Sequence, residues 1–200
     1  SAQVNEVVPS GGITFNGGAD AGGGDSLVIS GSTGLLTEAF NYTSLNDGSV
    51  ELDEDGGGSD GTITYTGLEP ISSTLTAANV VLNYGAANET ITVSNAAAAG
   101  QTNATSSAGE TTDFNNPTAS LTINAGSGDD TIDINSVDAA FPATVALTIS
   151  GEAGTDDVNF DTTLVLNGLS VTADSITFED DADVTTIGAT LTAQGGNIAL

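Results

Sequence analysis

The chain has 200 residues, room for one large domain or two small ones, and 38% are hydrophobic, enough to build a core. It contains no Lys, Arg or His against 27 carboxylates, a formal charge of −27. Nothing on it can neutralise phosphate, which excludes nucleic acid as a direct partner and anionic membrane surfaces as a docking site.

The missing residue types also remove chemistries. Without Cys there is no disulfide, thiolate metal site or thiol nucleophile, and without Lys no Schiff base. Without His the commonest general base and the usual zinc ligand are gone. Each carboxylate must be solvated, capped by backbone N–H, or bound to a cation from outside. No apolar run approaches the roughly 18 residues of a membrane span, so no membrane insertion is expected in this window. Abundant Gly, Thr and Asn favour strands and turns over helices.

In chain order, residues 1–12 read as a short strand ended by Pro9 and Gly11-Gly12. Ile13–Phe15 and Leu27–Ile29 are strands flanking an Asn16–Asp25 turn. Phe40–Thr43, Ser49–Leu52 and Thr62–Tyr65 follow, with Asn46-Asp-Gly48 as a hairpin signal. Asp53–Asp60 is an acidic glycine-rich loop. Asn79–Asn83, a Gly85–Glu89 turn and Thr90–Val93 repeat the strand, turn, strand unit. Residues 95–118 are rich in Ala, Ser, Thr and Asn and read as a linker or surface loop, with a helical turn expected at Ala96–Ala99.

The second half is more regular. Leading strands start near Leu121, Leu147, Leu169 and Leu191, spaced 26, 22 and 22 residues. Trailing strands centre on Ile132, Val158, Ile176 and Ile198. Two short strands per period of this length predict an all-β chain with a parallel β-solenoid at least in its C-terminal half. Phe160 and Phe178 fall at matching places and predict an aromatic stack in the core. Irregular strand spacing and hairpin signals make a β-sandwich the alternative, above all for residues 13–94. The expected organisation is a β-rich segment 1–94, the 95–118 linker, and a solenoid segment 119–200 that continues in a longer chain or is covered by another copy.

The turns are the candidate cation sites. Ala125–Asp133 lies on the pattern G-G-x-G-x-D-x-U-x through Gly126, Gly128, Asp130 and Ile132; Gly151–Asn159 lies on it through Gly151, Gly154, Asp156 and Val158. Glycine lets the backbone turn and aim carbonyls at a hard cation, and the Asp carboxylate closes its shell. Gly126, Gly128, Asp129, Asp130, Gly154, Asp156 and Asp157 are thus expected calcium ligands. Asp20 and Asp25 of the first turn and Asp53, Asp55 and Asp60 of the acidic loop are secondary candidates. Glu179–Asp183 reads as a solvated acidic face.

Those two turns resemble degenerate calcium-binding repeats of RTX proteins, although RTX repeats run in tandem every nine residues and these stand 26 apart. Asp25–Gly31, Gly61–Glu69, Leu121–Ile132 and Thr190–Leu200 resemble repeat segments of giant secreted or surface-attached bacterial proteins, such as large adhesins and filamentous-haemagglutinin-like exoproteins. The resemblance implies an extracellular or bacterial cell-surface location. It also implies a stalk, fibre, matrix or surface-layer role, with copies of the chain or the rest of a longer chain as partners. An adhesin module binding a cell-surface or matrix ligand is the alternative. An enzyme is not expected. Catalysis would rest on carboxylates alone, and adjacent pairs such as Asp156-Asp157 point to opposite faces of a strand.

Overall fold

Leu121 and Ile123 turn inward in the strand Ser120–Asn124, while Ser120, Thr122 and Asn124 face outward. This is the period of a strand with one face on a core, and it recurs along the chain. The computed structural model describes residues 8–9, 11–18, 24–31, 34–180 and 182–200. Among them there are strands and loops but no helix.

The first strands are β1 (Ile13–Asn16), β2 (Leu27–Ile29), β3 (Gly34–Tyr42), β4 (Gly48–Asp53), β5 (Gly61–Thr66), β6 (Ile71–Ser73) and β7 (Thr76–Asn83). Then come β8 (Thr90–Asn95), β9 (Gln101–Ser106), β10 (Thr112–Asn115), β11 (Ser120–Asn124), β12 (Thr131–Ile134), β13 (Ala146–Ser150) and β14 (Asp157–Phe160). The last are β15 (Thr163–Leu166), β16 (Gly168–Ala173), β17 (Ser175–Phe178), β18 (Asp183–Thr186), β19 (Ala189–Ala193) and β20 (Ile198–Ala199).

They form two large mixed sheets. One has the order β1-β5-β4-β3-β7-β11-β13-β16-β19, the other β2-β6-β10-β9-β8-β12-β14-β17-β20, and β15 pairs with β18. From β11 onward the chain moves between the two sheets, with β15 and β18 set aside as a pair, and every pairing it makes is parallel. Leu121, Leu147 and Leu169 stand side by side. So do Ile132, Val158, Ile176 and Ile198. Identical rows place like side chains one above another, and the Phe160 and Phe178 rings stack with centroids 4.8 Å apart and planes 7° apart. One expected register is corrected: Leu169 pairs with Ala189, so Leu191 stands beside Val171. β19 begins at Ala189, two residues before its leucine.

The first half is less uniform. Asn46-Asp-Gly48 closes the β3–β4 hairpin, and β4 runs antiparallel to both β3 and β5. In the other sheet β9 runs antiparallel to both β8 and β10. Each sheet thus contains one reversed strand, and direction is restored beyond it.

The stretch expected as a linker or surface loop, 95–118, instead carries β9 and β10. Its inward residues include Gln101, Thr102 and Thr112, all buried. Gln101 Nε2 donates to the Ser73 carbonyl at 3.1 Å, Thr102 Oγ1 to Asn116 Oδ1 at 2.8 Å, and Tyr42 OH to Thr112 Oγ1 at 2.9 Å. Buried polar groups with partners fill a core without showing as hydrophobic periodicity. Ala96–Ala99 form a bend and turn, not a helical turn, ending at Gly100 with φ 80°. A single hydrophobic cluster runs from Val8 to Ile176, so both halves share one core.

Candidate metal centre and the acidic corners

The Gly/Asp turns lie one over another. Residues 125–130 join β11 to β12, 151–156 join β13 to β14, and Ser127 bridges Ala153 in parallel. The Ser127 N–H donates to the Gly85 carbonyl at 3.0 Å, Gly128 to Ala153 at 2.9 Å, and Ala153 to Gly126 at 3.2 Å. These contacts need glycine. Gly126 has φ 93°, and a Cβ there would overlap the Gly85 carbonyl oxygen; one at Gly128 would overlap the carbonyl of Ala87.

The carboxylates form ladders along the same corners. Asp130 Oδ1 accepts the Glu89 N–H at 2.8 Å. Asp130 N–H donates to Asp156 Oδ1 at 3.1 Å, and Asp156 N–H to Asp174 Oδ2 at 3.1 Å. Asp130 and Asp156 are 1% and 2% exposed. Burial pushes both carboxyls up, backbone hydrogen bonds pull them partly back, and neighbouring acids push again. Asp129 accepts the Thr155 N–H at 2.9 Å and donates its own N–H to Asn88 Oδ1 at 3.0 Å. The outward Asp157 is exposed and gives its N–H to the Asp130 carbonyl at 2.8 Å.

Asp130 and Asp156 therefore tie one corner to the next, each satisfying a backbone donor. Asp130→Ala should cost about 1–3 kcal/mol, because it strands the buried Glu89 N–H, and Asp130→Asn should cost less because it keeps the acceptor. Urea unfolding of the two variants checks this; equal costs would mean the hydrogen bond contributes nothing.

The carboxylates that converge are elsewhere. Asp53, Asp55 and Asp60 each offer an oxygen within 4.8 Å of the others. Among the described residues no such group forms from Asp129, Asp130, Asp156 and Asp157. Asp53 ends β4, and Asp55 and Asp60 lie in the loop that joins it to β5. Its base is closed where Asp60 N–H donates to the Leu52 carbonyl at 2.8 Å. Asp53 Oδ1 accepts the N–H groups of Asp55 (3.0 Å) and Gly56 (2.7 Å), Asp55 Oδ1 that of Gly57 (2.8 Å), and Asp60 Oδ2 that of Glu54 (2.8 Å). Gly56 and Gly58 have φ 84° and 113°, the left-handed turns that fold the loop back on itself. Asp53 is half-buried and the other two are exposed. Three carboxylates at one loop suit a hard cation, with water completing a shell of roughly six to eight oxygens.

Asp25 is exposed, and its carbonyl accepts the Glu69 N–H at 2.8 Å; it does not join the group. Asp20 lies outside the described residues. Of the Glu179–Asp183 cluster, Glu179, Asp180 and Asp183 are exposed, as a solvated face requires.

Two buried glutamates escaped the reading of motifs. Glu38 is 1% exposed inside β3; its Oε1 accepts from Ser73 Oγ at 2.6 Å, and burial pushes its carboxyl up to about 7. Glu110 is also 1% exposed and is pushed up to about 7 by burial. The available signal was alternation: Glu38 shares the inward phase of Phe40 and Tyr42.

No protein-family model matches this chain, nor does any curated protein or any solved structure.

Proposed function

We propose that the chain is a non-catalytic extracellular structural module of a bacterial surface: a β-solenoid serving as a stalk, fibre or surface-layer element, stabilised by calcium at Asp53, Asp55 and Asp60. The observation that carries this reading is the run of parallel rungs from β7 and β8 to β19 and β20, in which each turn of chain repeats its predecessor's register. Such a stack grows along one axis and keeps its cross-section, which suits a spacer or fibre.

Strand polarity supports copies of the same chain as partners. Because each sheet reverses one strand and then restores direction, β1 runs parallel to β19 and β2 to β20. These four edge strands contain no carboxylate in a chain of charge −27. Ile13, Phe15 and Val28 are exposed at one edge and Ile198 at the other. A head-to-tail contact would continue the parallel pairing in both sheets, and such contacts build open filaments. Cations would screen the repulsion between copies.

Melting with calcium and with chelator tests the reading. At calcium about a hundredfold above its dissociation constant, Tm should rise by roughly 5–10 °C. Asp53→Asn with Asp55→Asn should remove the part of that shift that comes from this loop while leaving Tm in chelator unchanged. An unchanged Tm in the wild type would sink the calcium part. Electron microscopy of the same samples should show filaments in calcium, and uniformly monomeric particles would sink self-assembly.

A further inference from the structure

Glu110 is a carboxylate that the fold buries without completing its shell. Its Oε1 accepts the neighbouring Thr111 N–H at 2.9 Å, while its Oε2 is buried with no hydrogen-bond partner. The hydroxyl of Tyr65 is also buried without a partner. The two groups interact electrostatically, Glu110 being one of the charges that raise the Tyr65 phenol. Gly48 leaves room for that hydroxyl, since a Cβ there would stand 2.5 Å from it. A buried carboxylate oxygen without a partner is a position that a water or a cation can satisfy.

Glu110 also lines a cavity of about 320 Å³, open to solvent, whose walls include Glu69, Pro70, Ser106 and Thr111. Glu69 is exposed on that wall and is held there by Asn46, whose Nδ2 donates to its Oε1 at 2.6 Å. Glu69 adds to the burial that raises the Glu110 carboxyl, so the two acids oppose each other's charge. The chain has no Lys, Arg or His to answer them. A counter-charge for this pair comes from outside.

We infer that the cavity between the β5–β6 connection and the β9–β10 turn is a second cation site, in which Glu110 and Glu69 hold a divalent cation. The ligands are carboxylate oxygens, the choice of a hard ion of the calcium class. The site is distinct from the Asp53–Asp60 loop. It joins the β5–β6 connection to the β9–β10 turn, so occupancy would pin the less regular half of the fold.

Terbium replaces calcium and emits when a nearby tyrosine is excited. The chain has three Tyr and no Trp, so sensitised emission reports ions near those tyrosines. Titration of the whole chain with terbium at pH 7.5 should give saturable emission that calcium competes away. Glu110→Gln should lose it, while Asp53→Asn with Asp55→Asn should keep it. Glu69→Gln, at an exposed position, should fold normally and shift the titration to higher terbium. Full emission in both the Glu110→Gln and Glu69→Gln variants, or none in the wild type, would overturn the site and leave a proton as the only partner of Glu110.

Discussion

Gly154→Ala is expected to destabilise the protein by roughly 3–5 kcal/mol, the size of an exceptional single substitution. Two separate costs combine. Gly154 has φ 149°, a backbone region that side chains rarely adopt, and a Cβ there would overlap the Gly128 carbonyl oxygen. Strain of this kind costs about 1–3 kcal/mol, and forcing atoms into a packed contact costs about 1–3 more. Relief would require parting the corner from the one below it, where Gly128 N–H meets the Ala153 carbonyl. Gly188 is the control: a Cβ there would meet nothing within 4 Å, and its Ala variant should stay within about 0.5 kcal/mol of wild type. Urea midpoints with an unchanged m-value would measure both. A Gly154→Ala variant as stable as Gly188→Ala would show that the corners do not stack this closely.

Raising the pH from 5 to 8 should weaken the protein, and Glu38→Gln should remove about 2.5 kcal/mol of that loss. The folded state holds the Glu38 carboxyl at about 7 against an ordinary 4.5, so the folded state binds the proton more tightly. Its contribution is complete below the ordinary value and is lost as pH rises through about 7. The Ser73 hydrogen bond offsets only part of the burial. Glu110 acts in the same direction, and so does repulsion among the 27 carboxylates as they ionise. Glu38→Gln keeps an acceptor for the Ser73 hydroxyl and cannot ionise, so its stability should vary less with pH. Unfolding free energies at pH 5 and 8 for both proteins decide it. Equal slopes would mean that Glu38 is solvated in the folded state.

The legible parts of the fold were those where apolar residues recur at a fixed spacing. Ile132, Val158 and Ile176 could be aligned by eye because each rung needs an apolar plug at the same place, and the structure pairs them so. Residues 101–115 were illegible because Gln101, Thr102 and Thr112 are buried through hydrogen bonds to partners, in part far along the chain. The candidate site divided similarly. Asp53, Asp55 and Asp60 were visible as acids in a glycine-rich loop, but so were Asp129, Asp130, Asp156 and Asp157. A motif cannot tell a carboxylate that converges with others from one turned to the backbone of the next corner. At Asp130 and Asp156 one oxygen of each carboxylate accepts an N–H from a neighbouring corner; at Asp53–Asp60 a short loop draws three carboxylates to one place.

By itself the sequence determined the absence of internal cations, the all-β character and the strand, turn, strand repeat, since these follow from composition and local periodicity. Tertiary structure alone decided which turn gathers its carboxylates, which glutamates are buried, and where each sheet reverses one strand. Those outcomes depend on which distant N–H, hydroxyl or carbonyl each group meets once the rungs are stacked.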